Sequence, residues 1–118
     1  MRTIKFRGKS TNNGKWVYAE LHGFGMDLFN ECVQENTVGQ FTGLFDRNGK
    51  EIYEGDILHT ITFGFEPEEY TAIILYDNCR FQLSNGRNLF YFGQSDLTKM
   101  DDTIVIGNIY DNPELITP

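Results

Sequence analysis

The chain is poor in the residues that staple or interrupt small domains: its 118 residues include two cysteines and three prolines. Cys32 and Cys79 share no short spacing and form no Cys-x-x-Cys pair. Neither a disulfide framework nor a closely spaced zinc site is therefore indicated. The expected state is two free thiols, packed as small hydrophobes. Basic residues are also few, 10 against 17 acidic ones, for a net charge of -7. That balance weighs against a general phosphate-binding surface. Long apolar runs are missing. The longest, Ala72 to Tyr76, is far too short to span a bilayer. The opening Met1–Ser10 has no apolar core of the kind a secretory leader carries. These absences predict a soluble cytoplasmic protein.

What is present is an ordinary core supply and a surplus of aromatic rings. Hydrophobic residues make up 40% of the chain, with 10 Phe, 6 Tyr and 1 Trp. This suffices for one domain over 1–118 and excludes extended disorder.

The hydrophobic period is mostly two, the period of strands. Thr3 to Arg7 alternates strictly, with Ile4 and Phe6 on one face. Asn12-Asn13-Gly14 supplies a turn, and Lys15 to Leu21 returns as a second strand. Residues 1–21 thus read as an N-terminal hairpin, 22–36 as an irregular insertion broken by Gly23 and Gly25, and 37–118 as a barrel portion. Thr37 to Leu44 reads as extended. Asn48-Gly49, flanked by Leu44-Phe45 and Ile52-Tyr53, is a strong hairpin signal. Further strands are expected at 57–63, 70–76, 79–83, 88–92 and from 103 to about 110, with one helical turn at 96–100. Tyr70 to Tyr76 is almost continuously apolar, which predicts a central strand buried on both faces. Short strands and frequent turns define an all-β class, a small barrel or sandwich.

Three stretches carry a family likeness. They are Ile4-Lys5-Phe6-Arg7, then Phe41-Thr42-Gly43-Leu44 through Asp46, Asn48-Gly49-Lys50-Glu51-Ile52-Tyr53-Glu54-Gly55-Asp56-Ile57, and last Val105-Ile106-Gly107-Asn108-Ile109-Tyr110 with Asn112-Pro113-Glu114-Leu115. In this order and extent the chain resembles the YopX family of small phage and prophage proteins. The resemblance implies an SH3-like β-barrel or roll and an origin in a phage, or in a prophage within a bacterial host. It implies no activity, and no functional residue is carried over from it. The same motifs also make sense as backbone devices, since Asp46 and Asn48 suit an Asx turn before Gly49.

Chemistry-bearing groups are scattered. Asp46-Arg47-Asn48-Gly49 fails as a calcium loop, because the glycine is fourth and Ile57 stands where the bidentate acid belongs. Glu51, Glu54 and Asp56 form a local carboxylate group that reads best as solvated turn acids or as partners for nearby bases. His22 and His59 have no metal-ligand spacing to each other or to the cysteines. Gly23-Phe24-Gly25 is not a phosphate loop, and Ser10, Ser84 and Ser95 lack a nucleophile-elbow context. No catalytic residue, metal or cofactor is assigned.

Two candidate surfaces remain. Phe63, Phe65 and Tyr91 form a possible aromatic patch for a protein partner or a second copy. Residues 1–15 sum to +5 while the remainder sums to -12. Lys5, Arg7 and Lys9 could therefore contact nucleic acid, or could lie against acids of their own domain. The leading expectation is a non-enzymatic, phage- or prophage-encoded interaction module that binds protein or itself. The alternative is a nucleic-acid-binding accessory protein. No small-molecule substrate and no membrane partner is indicated.

Overall fold

A computed structural model describes residues 4–22, 25–26, 29, 31–61, 69–77, 80–84 and 102–116. Strands β1 (Lys5–Lys9), β2 (Trp16–His22), β3 (Gly25–Met26), β4 (Gly39–Phe45) and β5 (Glu51–Tyr53) form one sheet, in the order β3-β2-β1-β4-β5. Strands β6 (Asp56–Ile61), β7 (Glu69–Asp77), β8 (Arg80–Leu83) and β9 (Thr103–Asn108) form a second, in the order β8-β7-β6-β9. All pairings are antiparallel. Two 3₁₀ turns, Glu35–Thr37 and Pro113–Leu115, complete the secondary structure, and no α-helix occurs among the described residues.

The all-β expectation holds. Among the described residues the strands form two open sheets rather than a closed barrel. The N-terminal hairpin is present, with Lys5 opposite Glu20 and Lys9 opposite Trp16, but β1 also pairs with β4 and so lies inside its sheet. The strand expected from Thr37 starts at Gly39 instead. The Thr37 hydroxyl donates to Gln34 O (2.6 Å) and accepts Lys9 N–H (2.9 Å), which holds Thr37 in the 3₁₀ turn. Expected features at 62–68, 85–101 and Cys79 lie outside the described residues. Cys32 is exposed, against the expectation of a buried thiol; its carbonyl accepts Thr11 N–H while its side chain stays at the surface.

The two sheets meet over one core of Leu44, Ile52, Leu58, Ala72, Ile74, Phe81 and Leu83, edged by Tyr70 and Val105. Each large aliphatic side chain buried here contributes about 1.5–3 kcal/mol. Strand β7 is internal to its sheet, flanked by β6 and β8, as its apolar run implied. It is not buried on both faces. Ala72 and Ile74 are buried, while Thr71, Leu75 and Tyr76 are exposed and Ile73 is half-buried. The apolar run resembles that of a parallel core strand, but an antiparallel sheet needs to cover only one face.

Turn chemistry joins the sheets. The buried Asp46 carboxylate accepts N–H groups of Asn48 and Lys50 at its Oδ1 and of Val105 at its Oδ2, each at 2.9 Å. Arg47 N–H donates to Thr103 O at 2.8 Å. The β4–β5 turn therefore docks along the outer edge of β9. At the next turn, Tyr53 N–H donates to Asp56 Oδ2 (2.7 Å), Gly55 N–H to Ile74 O (2.9 Å) and Ile109 N–H to Gly55 O (2.9 Å). Gly55 has φ +91°, a conformation that L side chains rarely adopt. Between Ile57 and Leu58 the pairing with β9 shifts by one residue, leaving Ile106 as the extra residue of a bulge on β9, and Asp56, Ile57 and Leu58 are buried in succession.

Candidate functional site

The three bases of β1 each meet an acid distant in the chain. Lys5 Nζ lies 2.9 Å from Glu51 Oε2, and Glu51 Oε1 accepts the Tyr53 hydroxyl at 3.0 Å. Arg7 Nη2 donates to Asp56 Oδ1 at 2.7 Å. Lys9 Nζ donates to Asp111 Oδ1. Alternation would send Arg7 to the face opposite Phe6. There its guanidinium lies 4.3 Å from the Trp16 ring centroid and 4.6 Å from that of Tyr53. Aromatic faces attract the guanidinium through their quadrupoles and shield it from water. Among the described residues the buried Arg7 Nε finds no hydrogen-bond acceptor.

The same node reaches the C-terminal segment. Trp16 Nε1 donates to Asp111 Oδ2 at 2.9 Å, Asn108 Nδ2 donates to the same oxygen at 3.1 Å, and Tyr110 packs edge-on against Trp16. Burial pushes the Asp56 carboxyl above its ordinary range, while Arg7 and Tyr53 N–H pull it back. Burial also acts to raise Asp111, but the donors Lys9, Trp16 and Asn108 outweigh it and hold this carboxyl below its ordinary range. Burial, then the hydrogen bond to Glu51, pushes the Tyr53 hydroxyl well up.

The carboxylates grouped by sequence thus turn to separate partners: Glu51 to Lys5 and Tyr53, Asp56 to Arg7 and the Tyr53 amide. Glu54 packs beside Gly39. His59 contacts Thr71 Oγ1 through Nδ1 (3.2 Å) and Glu69 Oε1 through Nε2 (2.8 Å), away from that group. No cluster of His, Cys, Asp and Glu able to hold a metal occurs among the described residues. Cys79 and the His22 side chain lie outside them. So do Phe63, Phe65 and Tyr91.

A different apolar surface is visible. The face of β6, β7 and β9 turned away from the core carries Ile61 (41% exposed), Leu75 (39%) and Ile106 (38%), with Ile73 and Ile104 half-buried among them. A shallow pocket in this face is lined by Arg47, His59, Ile61, Asp102 and Ile104. Sequence reasoning passed over this face because the continuous run 72–76 suggested that both sides were covered. The alternation Thr71-Ile73-Leu75 was the available signal.

Two packed antiparallel sheets, joined by buried turn carboxylates and closed by an arginine held between aromatic rings, define a small all-β domain in which β1, the β5–β6 turn and the C-terminal segment meet at one node. The model of the YopX protein family matches residues 5–117, and the chain belongs to that family. It is similar to protein EF1440 from Enterococcus faecalis, known from a crystal structure. That likeness has a TM-score of 0.61 and 26% identity, over 97% of this chain and 98% of that one. No curated protein matches the chain. Among the described residues no helix is long and apolar enough to cross a membrane.

Proposed function

We propose that the chain is a non-enzymatic interaction module, encoded by a phage or prophage, that binds a protein partner or itself in the cytoplasm of a bacterial host. The observation that carries this is the outward face of β6, β7 and β9. Exposed Ile61, Leu75 and Ile106 on one rigid sheet are what a contact surface requires. The acidic balance of the chain keeps such a surface away from phosphate backbones. The alternative, nucleic-acid binding through β1, would require Lys5, Arg7 and Lys9 to leave Glu51, Asp56 and Asp111. The family's SH3-like barrel is retained as a proposal for how the bent β5–β6 connection curls the two sheets around Ile52 and Ile74. Affinity capture from host lysate, read by mass spectrometry, tests the function. The wild type is expected to retain a protein that Ile61→Asp releases; retention of nucleic acid in its place would favour the alternative.

A further inference from the structure

The outward face of β6, β7 and β9 has charges at its two margins as well as an apolar middle. Arg47 stands at the β9 margin, fixed there by its N–H bond to Thr103 O. Its exposed side chain lines the shallow pocket and has no acid partner among the described residues. Asp102, beside it, accepts the Thr103 hydroxyl at 3.0 Å. Glu69 stands on β7 opposite Ile61, its Oε1 2.8 Å from His59 Nε2 and 65% of its side chain exposed. Among the described residues β8 pairs with Ile74 to Asp77 and no strand lies beyond Glu69. Among them Glu69 therefore stands at the other margin, two strand spacings or roughly 10 Å across from β9. Thr60 lies opposite both Tyr70 and Thr103, so the cation and the anion are at nearly the same level along the strands.

We infer that this face receives a second copy of the chain, packed sheet to sheet about a two-fold axis parallel to the strands. This inference rests on the interaction-module proposal and names its partner. Such an axis keeps the level along the strand and exchanges the margins. Arg47 of one copy then meets Glu69 of the other, twice per dimer, while Ile61, Ile73 and Ile104 cover one another. A two-fold perpendicular to the strands would instead set Arg47 against Arg47. The axis parallel to the strands is thus the one that brings Arg47 to Glu69.

Light scattering and sedimentation equilibrium, with circular dichroism to confirm folding, test the pairing. The wild type is expected to be a dimer. Arg47→Glu and Glu69→Arg are each expected to weaken association about tenfold or more, because each disrupts two pairs per dimer. The double variant R47E/E69R is expected to recover wild-type association to within about threefold, which only a direct contact produces. A wild type that stays monomeric at every concentration overturns the inference, as does a double variant no tighter than the singles. If the monomer still captures a lysate protein that Ile61→Asp releases, the second copy is refuted and the interaction module stands. If the monomer captures nothing sensitive to Ile61, both fall.

Discussion

Arg7 Nη2 lies 2.7 Å from Asp56 Oδ1, at a place where the two side chains keep 6% and 1% of their surface exposed. The pair ties β1 to the start of β6, and so one sheet to the other. Both charges are cut off from water, so their worth depends on staying together.

Asp56→Asn is therefore expected to destabilise the protein by about 3–5 kcal/mol, because it leaves a buried guanidinium without its counter-charge. The double variant Arg7→Met/Asp56→Asn is expected to recover part of that loss, since no unpaired charge remains. Urea denaturation of the wild type, the single and the double variant checks this. Equal losses in the single and the double would show that the charge pair is not what Asp56 provides.

Two glycines with positive φ separate strain from crowding. Gly49 (φ +82°) has nothing within 4 Å of an added Cβ, whereas at Gly55 (φ +91°) that atom would sit 3.1 Å from the Tyr110 ring. Gly49→Ala is expected to cost about 1–2 kcal/mol from backbone strain alone. Gly55→Ala is expected to cost more and to change the emission of Trp16, against which Tyr110 packs. Thermal melts and fluorescence of the two variants are the measurement.

Acid should loosen the C-terminal tie. The Asp111 carboxyl is held below its ordinary value when folded, so it binds protons less readily in the native state. Its stabilising contribution is full above that value and is lost as pH falls through the lower, folded one. Trp16, the single tryptophan, donates to this carboxylate and reports the change. Wild-type emission is expected to titrate at acid pH, and Asp111→Asn is expected to remove that step.

Nucleic-acid binding through β1 is expected to be absent even at low salt, where phosphate contacts are strongest. A gel shift checks this. A shift lost on Lys5→Glu and Lys9→Glu would show that these bases leave their acids for phosphate.

Much of the fold was legible because its turns are. Asn48-Gly49 and Gly14 marked hairpins by residue chemistry alone, and Phe81 and Leu83 point inward as their alternation required. The charge imbalance was legible, but its resolution was not. Lys5, Arg7 and Lys9 find acids 46, 49 and 102 residues away, through pairings that no local pattern encodes. Asp46 could be read as an Asx-turn residue, yet its bond to Val105 N–H depends on where β9 lies. The run 72–76 misled because apolarity alone does not distinguish a strand covered on both faces from one whose second face is exposed, here the proposed contact surface.

Oxidative footprinting tests that contact surface most directly, since it needs no prior identification of the partner. Ile61, Leu75 and Ile106 should be oxidised readily in the dilute purified chain and protected, about fivefold or more, at high concentration or in host lysate, where a partner covers them. Tyr18 and Leu115, exposed elsewhere, should react alike in both. Equal oxidation of Ile61, Leu75 and Ile106 under all conditions would contradict the account.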